Sequence, residues 1–216
     1  RRPPAPKARD RVLSDYELGL LWRASREIGW PFGPAIRFLM VTGQRREEVS
    51  GARWNEMDTR AAVWTLPSAR TKNAAPHEVN LPSLALEILD EQLDMGRYVF
   101  GATGEKPLQG WSQAKRKLDA HMAALAEADG HEPPAPWRTH DLRRTAATGM
   151  ASLGVQPVVI EKILNHTSGR NGGLVAVYQR HDYRAERRAA LEAWDTYLRQ
   201  LIGRADSDNV VAFPGA

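Results

Sequence analysis

Six residues carry side chains suited to one reaction: Arg45, Lys72, His140, Arg143, His166 and Tyr178, in that order along the chain. In-line cleavage of a phosphodiester spreads negative charge over the non-bridging oxygens. A site for it therefore needs fixed cations, a nucleophile and a proton donor for the departing 5′ oxygen. Guanidinium stays charged and presents paired donors that match two phosphate oxygens, which suits Arg45 and Arg143. A lysine on a loop can reach into a DNA groove and protonate a leaving oxygen, a role open to Lys72. A tyrosine serves as nucleophile when nearby cations favour its phenolate, since the free phenol has a pKa of about 10.

Each of the six also has a plain structural reading. Arg45 is one of several charged neighbours in Thr42-Gly43-Gln44-Arg45-Arg46-Glu47-Glu48, and Arg46 matches it in charge. Glu48, three residues on, is placed to hold Arg45 by an ion pair. His140 and Arg143 lie three apart at the start of a predicted helix. They project from one face there, beside backbone N–H groups and the positive end of the helix dipole. A surface His-x-x-Arg pair has the same spacing. His166 is a helix-ending histidine or a hydrogen-bond donor to phosphate. Tyr178 follows the glycine-rich run Ser168-Gly169-Arg170-Asn171-Gly172-Gly173, and Tyr183, five residues later, is the competing nucleophile.

Helices and a small sheet are needed to bring these positions together. Ser14-Asp15-Tyr16-Glu17 is a capping-box pattern that opens a helix over Asp15 to Ile28. Pro31 to Pro34 break it, and Ala35 to Val41 reads as a buried helix ending near Thr42-Gly43, which leaves Arg45 at the start of a further short helix. Ala52 to Met57, Ala62 to Leu66 and Glu78 to Leu81 carry β-branched or aromatic residues and predict a small antiparallel sheet. The long polar connection Pro67 to Pro76 places Lys72 on a hairpin loop or strand end. Helical periodicity resumes over Leu84 to Leu93, Trp111 to Ala128, Thr139 to Ser152, Pro157 to Leu164 and Asp182 to Leu201. The last of these carries Leu191, Trp194, Leu198 and Leu201 on one stripe. Gly154 suits a helix end and Pro157 the first turn of the next helix. The fold class is mainly α with a small antiparallel β-sheet, an α+β domain.

Composition narrows the partners. The chain has 216 residues, 42% apolar and 26% charged, enough for one good core. It has no cysteine, which removes disulfides and thiolate metal sites, and its six histidines show no close ligand spacing. Thirty basic against 26 acidic residues give a net charge of +4 and a pI of about 9.6, so a basic face toward nucleic acid is reasonable. No apolar run approaches the ~20 residues that span a bilayer, and the N-terminus lacks a signal-peptide core; a cytoplasmic location without membrane attachment is the expectation. Phosphate-loop, nucleophile-elbow, His-Glu-x-x-His and dinucleotide signatures are missing.

In combination these segments resemble the catalytic domain of the tyrosine recombinases, the phage integrase family. The likeness runs from about Leu13 to Leu201. Thr42 to Glu48 matches the motif of the first arginine, which assigns Arg45 and makes Glu48 its supporting acid. Thr71-Lys72-Asn73 matches the hairpin lysine, and His140-Asp141-Leu142-Arg143-Arg144-Thr145 matches the second box. Leu164-Asn165-His166 stands where the family usually has Leu-Gly-His, and Tyr178 stands at its nucleophile. Asn165 in place of glycine and a longer glycine-rich stretch before Tyr178 are departures. The stretch from Leu164 to Trp194 is similar to integrases of prophages and genomic islands.

The resemblance implies the breaking and rejoining fold and a reaction without metal, cofactor or ATP, in which Tyr178 forms a 3′-phosphotyrosyl bond. Arg45, Arg143 and His166 would stabilise the transition state, Lys72 would be the general acid, and His140 would assist proton transfer. It implies double-stranded DNA with a specific attachment site as partner, further protomers assembled as a tetramer in the synaptic complex, and a nucleoid-associated place in a bacterial cell. A type IB topoisomerase would use similar residues, and a catalytically silent DNA-binding or assembly domain would keep the fold. Residues 1–12 read as a linker remnant of a longer protein, 13–202 as the catalytic domain, and 203–216 as a tail. The apolar patch from Val210 to Phe213 in that tail could dock on this body or a neighbour, or stay disordered.

Overall fold

The computed structural model describes residues 10–166 and 182–207, with side chains of the last helix described to Gly203. Tyr178, most of the linker remnant and the apolar end of the tail lie outside the described residues. The helices are α1 (Asp15–Ile28), α2 (Phe32–Thr42), α3 (Arg46–Ser50), α4 (Ser83–Asp90), α5 (Trp111–Ala128), α6 (Thr139–Ser152), α7 (Pro157–Ile163) and α8 (Arg184–Ser207). Strands β1 (Met57–Asp58), β2 (Val63–Leu66) and β3 (His77–Asn80) form an antiparallel sheet in the order β1-β2-β3. The expected α+β class is therefore observed.

Local sequence explains where the elements start and stop. At α1 the Ser14 hydroxyl accepts from the Glu17 N–H, and the Glu17 carboxylate accepts from the Ser14 N–H, so two otherwise orphaned donors are satisfied. Helix α2 begins at Phe32, ahead of the expected Ala35, because Pro34 falls in the first turn, where its missing N–H costs nothing. It ends at Gly43, whose φ of +62° is left-handed. A Cβ on Gly43 would lie 3.2 Å from both Ala146 and Leu164, so the bare backbone lets α6 and the end of α7 close in from two sides.

The sheet departs from expectation at its first strand. Ala52 to Met57 was expected to be extended, but Arg53 makes an isolated bridge with Tyr98, Trp54–Glu56 is a turn of 3-10 helix, and pairing within the sheet begins at Met57. The buried Glu56 carboxylate explains the change: it accepts from the Trp64 indole N–H at 3.1 Å and forms an ion pair with Arg70. Turning the chain inward at Glu56 satisfies these donors; a strand would alternate them away. In the second pair, Trp64 lies opposite Val79 and Leu66 opposite His77.

One core holds these elements. Helix α2 is buried along nearly its whole length and touches α1, α4, α6 and α8. Phe38 sits against both Trp64 and Phe100, joining the sheet to the helices. Helix α8 buries the expected stripe of Leu191, Trp194, Leu198 and Leu201. The Trp194 indole donates to the Met40 carbonyl at 2.9 Å, and its ring lies where a Cβ on Gly149 would come within 2.2 Å. Loss of an indole packed so closely costs about 3–5 kcal/mol.

Candidate active site

Arg143 lies one turn into α6 and is only 3% exposed. Its Nη1 donates to the Gly43 carbonyl at 3.0 Å, and its Nη2 donates to the Leu164 carbonyl. Both acceptors are neutral. Burial, joined by the charge of Arg45 and opposed by Glu48, pushes the Arg143 guanidinium down to about 9, so it is still a cation at neutral pH. A desolvated cation whose bonds among the described residues go to neutral carbonyls keeps its attraction for an incoming anion.

Arg45 occupies the cap position of α3. Glu48 reaches back to accept from the Arg45 backbone N–H at 2.9 Å and from its Nη1 at 2.8 Å. The remaining fork, Nη2, donates to the Asn165 carbonyl at 3.3 Å. Glu48 is 3% exposed, so this carboxylate serves Arg45 and not solvent. Arg46, equal in charge, is exposed and paired with Glu47, which separates the two neighbours.

Three successive carbonyls, from the last residue of α7 onward, organise the site. The Ile163 carbonyl bonds His77 Nε2 at 3.0 Å and accepts from Gln44 Nε2 at 3.1 Å; those of Leu164 and Asn165 take Arg143 and Arg45. This turn presents its oxygens to one side because Asn165 has a φ of +49°, a conformation asparagine tolerates better than most residues. His166 follows directly, its backbone N–H bonded to the Glu161 carbonyl at 3.0 Å.

Both candidate imidazoles feel the arginines. Partial burial, then the charges of Arg143 and Arg144, lower the pKa of His140 against the pull of Asp141. His166 is lowered by partial burial, then by Arg143 and Arg45, against Glu161. Both shifts favour the neutral imidazole, which donates from one nitrogen and accepts at the other. His140 is in the first turn of α6, three residues before Arg143, as its spacing predicts. Arg45, His140, Arg143 and His166 are thus brought together.

Lys72 is exposed, in the turn between the Ser68–Arg70 3-10 helix and β3, and has no hydrogen bond or ion pair among the described residues. The turn itself is held. Thr71 Oγ1 donates to the carbonyl of Ala75 at 2.7 Å or Ser68 at 3.1 Å, and Arg70 Nη2 donates to the Glu48 carbonyl at 2.6 Å. Asn73 exchanges amide hydrogen bonds with Asn165 at 2.6 and 3.2 Å.

Tyr183 is half-buried and packs against the hydrophobic core just before α8. Here the chain returns to β3: Arg187 Nη1 donates to the Glu78 carbonyl at 3.0 Å, and Arg184 pairs with the Glu78 carboxylate at 2.8 Å. An open groove beside His140 is lined by Arg46, Lys115, Trp137 and Arg138, with the Lys115 ammonium 4.1 Å above the Trp137 ring.

Sequence reasoning missed three supporting residues. His77 is buried, and burial lowers its pKa to about 4, with its Ile163 bond opposing and nearby arginines adding. Gln44 and Asn73 complete the set. A histidine opposite Leu66 on the buried side of a strand was the one available signal.

Comparison with known proteins bears on the family and the fold. Residues 21–184 match the phage integrase family. The prophage integrase IntA of Escherichia coli (strain K12) is 30% identical over 174 residues, 80% of this chain and 39% of that protein. Prophage integrase IntZ of the same organism is 32% identical over 173 residues, 78% of this chain and 40% of its own length. The chain thus spans about two-fifths of the length of these relatives. Among solved structures, XerA recombinase superposes with a TM-score of 0.57 at 18% identity, covering 94% of this chain and 66% of that one. A lambda integrase (75-356) dimer bound to a COC′ core site gives 0.55 at 20% identity, covering 75% and 59%. With most of its length matched and with the same mainly helical fold and three-stranded sheet, the chain belongs to the phage integrase family, the tyrosine recombinases, and has the fold of their catalytic domain.

Proposed function

We propose that residues 13–202 are the catalytic domain of a site-specific DNA recombinase that cuts and rejoins strands through a 3′-phosphotyrosyl intermediate. The observation that carries this reading is the pair of guanidinium groups fixed around the Leu164–Asn165 turn, with Arg143 buried and, among the described residues, bonded only to neutral carbonyls. That arrangement suits the charge that develops on the non-bridging oxygens in the transition state.

Tyr178 Oη attacks the phosphorus, giving up its phenol proton to a neighbouring base such as His140, while the bond to the 5′ oxygen breaks and Lys72 Nζ delivers the proton that this oxygen takes up. Arg45 and Arg143 hold the equatorial oxygens, His166 donates to one of them, and His140 assists proton transfer. The product keeps a phosphodiester-like bond, so attack by a 5′ hydroxyl reverses the step without ATP or metal. Tyr178 is preferred to Tyr183 because the latter phenol packs against the core. The basic groove beside His140 suits the flanking backbone of double-stranded DNA. A specific attachment site and a tetrameric synaptic complex complete the reading, in the cytoplasm of a bacterial cell.

The test is to incubate the protein, with chelator and no nucleotide, with a pool of nicked duplexes carrying randomised cores, and to recover detergent-resistant adducts. Wild type and Tyr183→Phe should both trap DNA, and Tyr178→Phe should not. Absence of any wild-type adduct would favour a silent DNA-binding domain. A retained adduct in Tyr178→Phe with loss in Tyr183→Phe would move the nucleophile. Adducts with no shared sequence, together with relaxation of supercoiled DNA, would favour a type IB topoisomerase.

A further inference from the structure

Lys72 is exposed and unpartnered among the described residues, yet a proton donor must meet the 5′ oxygen within hydrogen-bond reach. Something must aim its turn at the phosphate. The next residue supplies the connection: Asn73 and Asn165 exchange two amide hydrogen bonds, at 2.6 and 3.2 Å, across 92 residues of sequence. Asn165 is also the residue whose carbonyl accepts from Arg45 Nη2 at 3.3 Å. One residue therefore touches a guanidinium of the cradle through its backbone and the lysine turn through its side chain.

The backbone at Asn165 gives a reason to attribute purpose to its amide. A φ of +49° is what glycine adopts without strain, and asparagine accepts it at some cost. The fold could be made with glycine here, so the amide adds the link to Asn73 and is not needed for the turn.

We propose that Asn165 and Asn73 are positioning residues for proton transfer, an amide clasp that fixes the Lys72 turn in register with the phosphate held by Arg45 and Arg143. The proposal rests on the reading of Lys72 as general acid. It separates two jobs within one loop: Lys72 transfers the proton, and Asn73 holds the place from which it does so. Because the clasp acts only on protonation of the leaving group, its loss should matter only when that protonation is needed.

A substrate with sulfur in place of the bridging 5′ oxygen isolates that requirement. Attack by the tyrosine still breaks the bond from phosphorus to the bridging atom, but a thiolate leaves without a proton, a thiol having a pKa of only ~8.5. Single-turnover cleavage would be measured on oxygen and sulfur versions of a duplex recovered from the adduct pool. With oxygen, Lys72→Ala should fall by roughly 10²-fold or more, as expected for loss of a general acid. Asn165→Gly and Asn73→Ala should each fall about tenfold, and the double variant no further, because one interaction is removed once. With sulfur, all four variants should return to within about threefold of wild type, a span below one ordinary hydrogen bond.

Distinct results separate the two claims. If Lys72→Ala is rescued by sulfur while both asparagine variants cleave oxygen normally, or lose activity that sulfur does not restore, the clasp is overturned and the general acid stands. If Lys72→Ala cleaves oxygen normally or is not rescued, the general-acid reading fails and the clasp fails with it. Asn73→Ala keeps the test decisive should Asn165→Gly unfold.

Discussion

The arginine cradle and the lysine turn lie side by side and are built in opposite ways. In the cradle, every fork is engaged: Arg143 by two carbonyls, Arg45 by Glu48 and a third carbonyl. On the turn, the backbone is held by Thr71, Arg70 and Asn73, while the Lys72 ammonium itself is exposed. Charge stabilisation rewards groups that need no reorganisation when charge appears. Proton delivery needs a donor that can approach a leaving atom and retreat from it. If the proposed roles hold, the difference teaches that one site can be rigid where it binds charge and left unencumbered where it moves a proton.

The largest effect should come from breaking the rigid half. Arg143→Ala should slow single-turnover cleavage by about 10³-fold, the scale of a lost charge-stabilising donor, and Arg143→Lys should recover little because one ammonium cannot span two carbonyls and a phosphate oxygen. A loss below tenfold would remove the cradle from the mechanism. Acid should act next, through His77. Its folded pKa of about 4 lies below the ~6.5 of an unfolded histidine, so the unfolded chain binds more protons between these values. Its contribution is present in full above pH 6.5 and is lost as pH falls toward 4, up to about 3 kcal/mol in total. Chemical denaturation across that range should show the loss in wild type and a flatter profile in His77→Gln; parallel profiles would contradict it.

Glu48→Gln comes third. It removes the counter-charge of Arg45 while keeping the shape, and should cost about 2 kcal/mol of transition-state stabilisation. Measured in an Arg45→Ala background, the same change should have almost no effect on cleavage; additive losses would mean that Glu48 acts independently of Arg45. Thr71→Val is the smallest. Removing a hydroxyl from the lysine turn should lower thermal stability by about 1 kcal/mol and cleavage only a few-fold. A drop as large as that of Arg143→Ala would show the turn to be as rigid as the cradle.

Much of this contrast was legible in the sequence, and the missing part has a physical cause. Glu48 was placed by its spacing, since residues three apart on a helical turn meet, and His140 and Arg143 by the same rule. The stripe Leu191, Trp194, Leu198 and Leu201 followed from period alone. His77, Gln44 and the Asn73–Asn165 pair could not be read this way. Their partners are backbone carbonyls or amides 86 to 119 residues away in sequence, and no local pattern encodes which carbonyl will turn toward them. The first strand was misjudged for a related reason: Glu56 turns inward for Trp64 and Arg70, contacts that propensity does not see.

The carbonyls that hold the arginines also set an order in time. Arg45 and Arg143 emerge early from the ribosome relative to Leu164 and Asn165, which complete their hydrogen bonds. A nascent chain that ends at α6 carries both guanidinium groups but cannot hold them in place. The paired-arginine geometry exists only once α7 and its trailing turn have been made; under the proposed function, the growing protein could not grip DNA in the cutting geometry before the segment bearing Tyr178 is due to be synthesised.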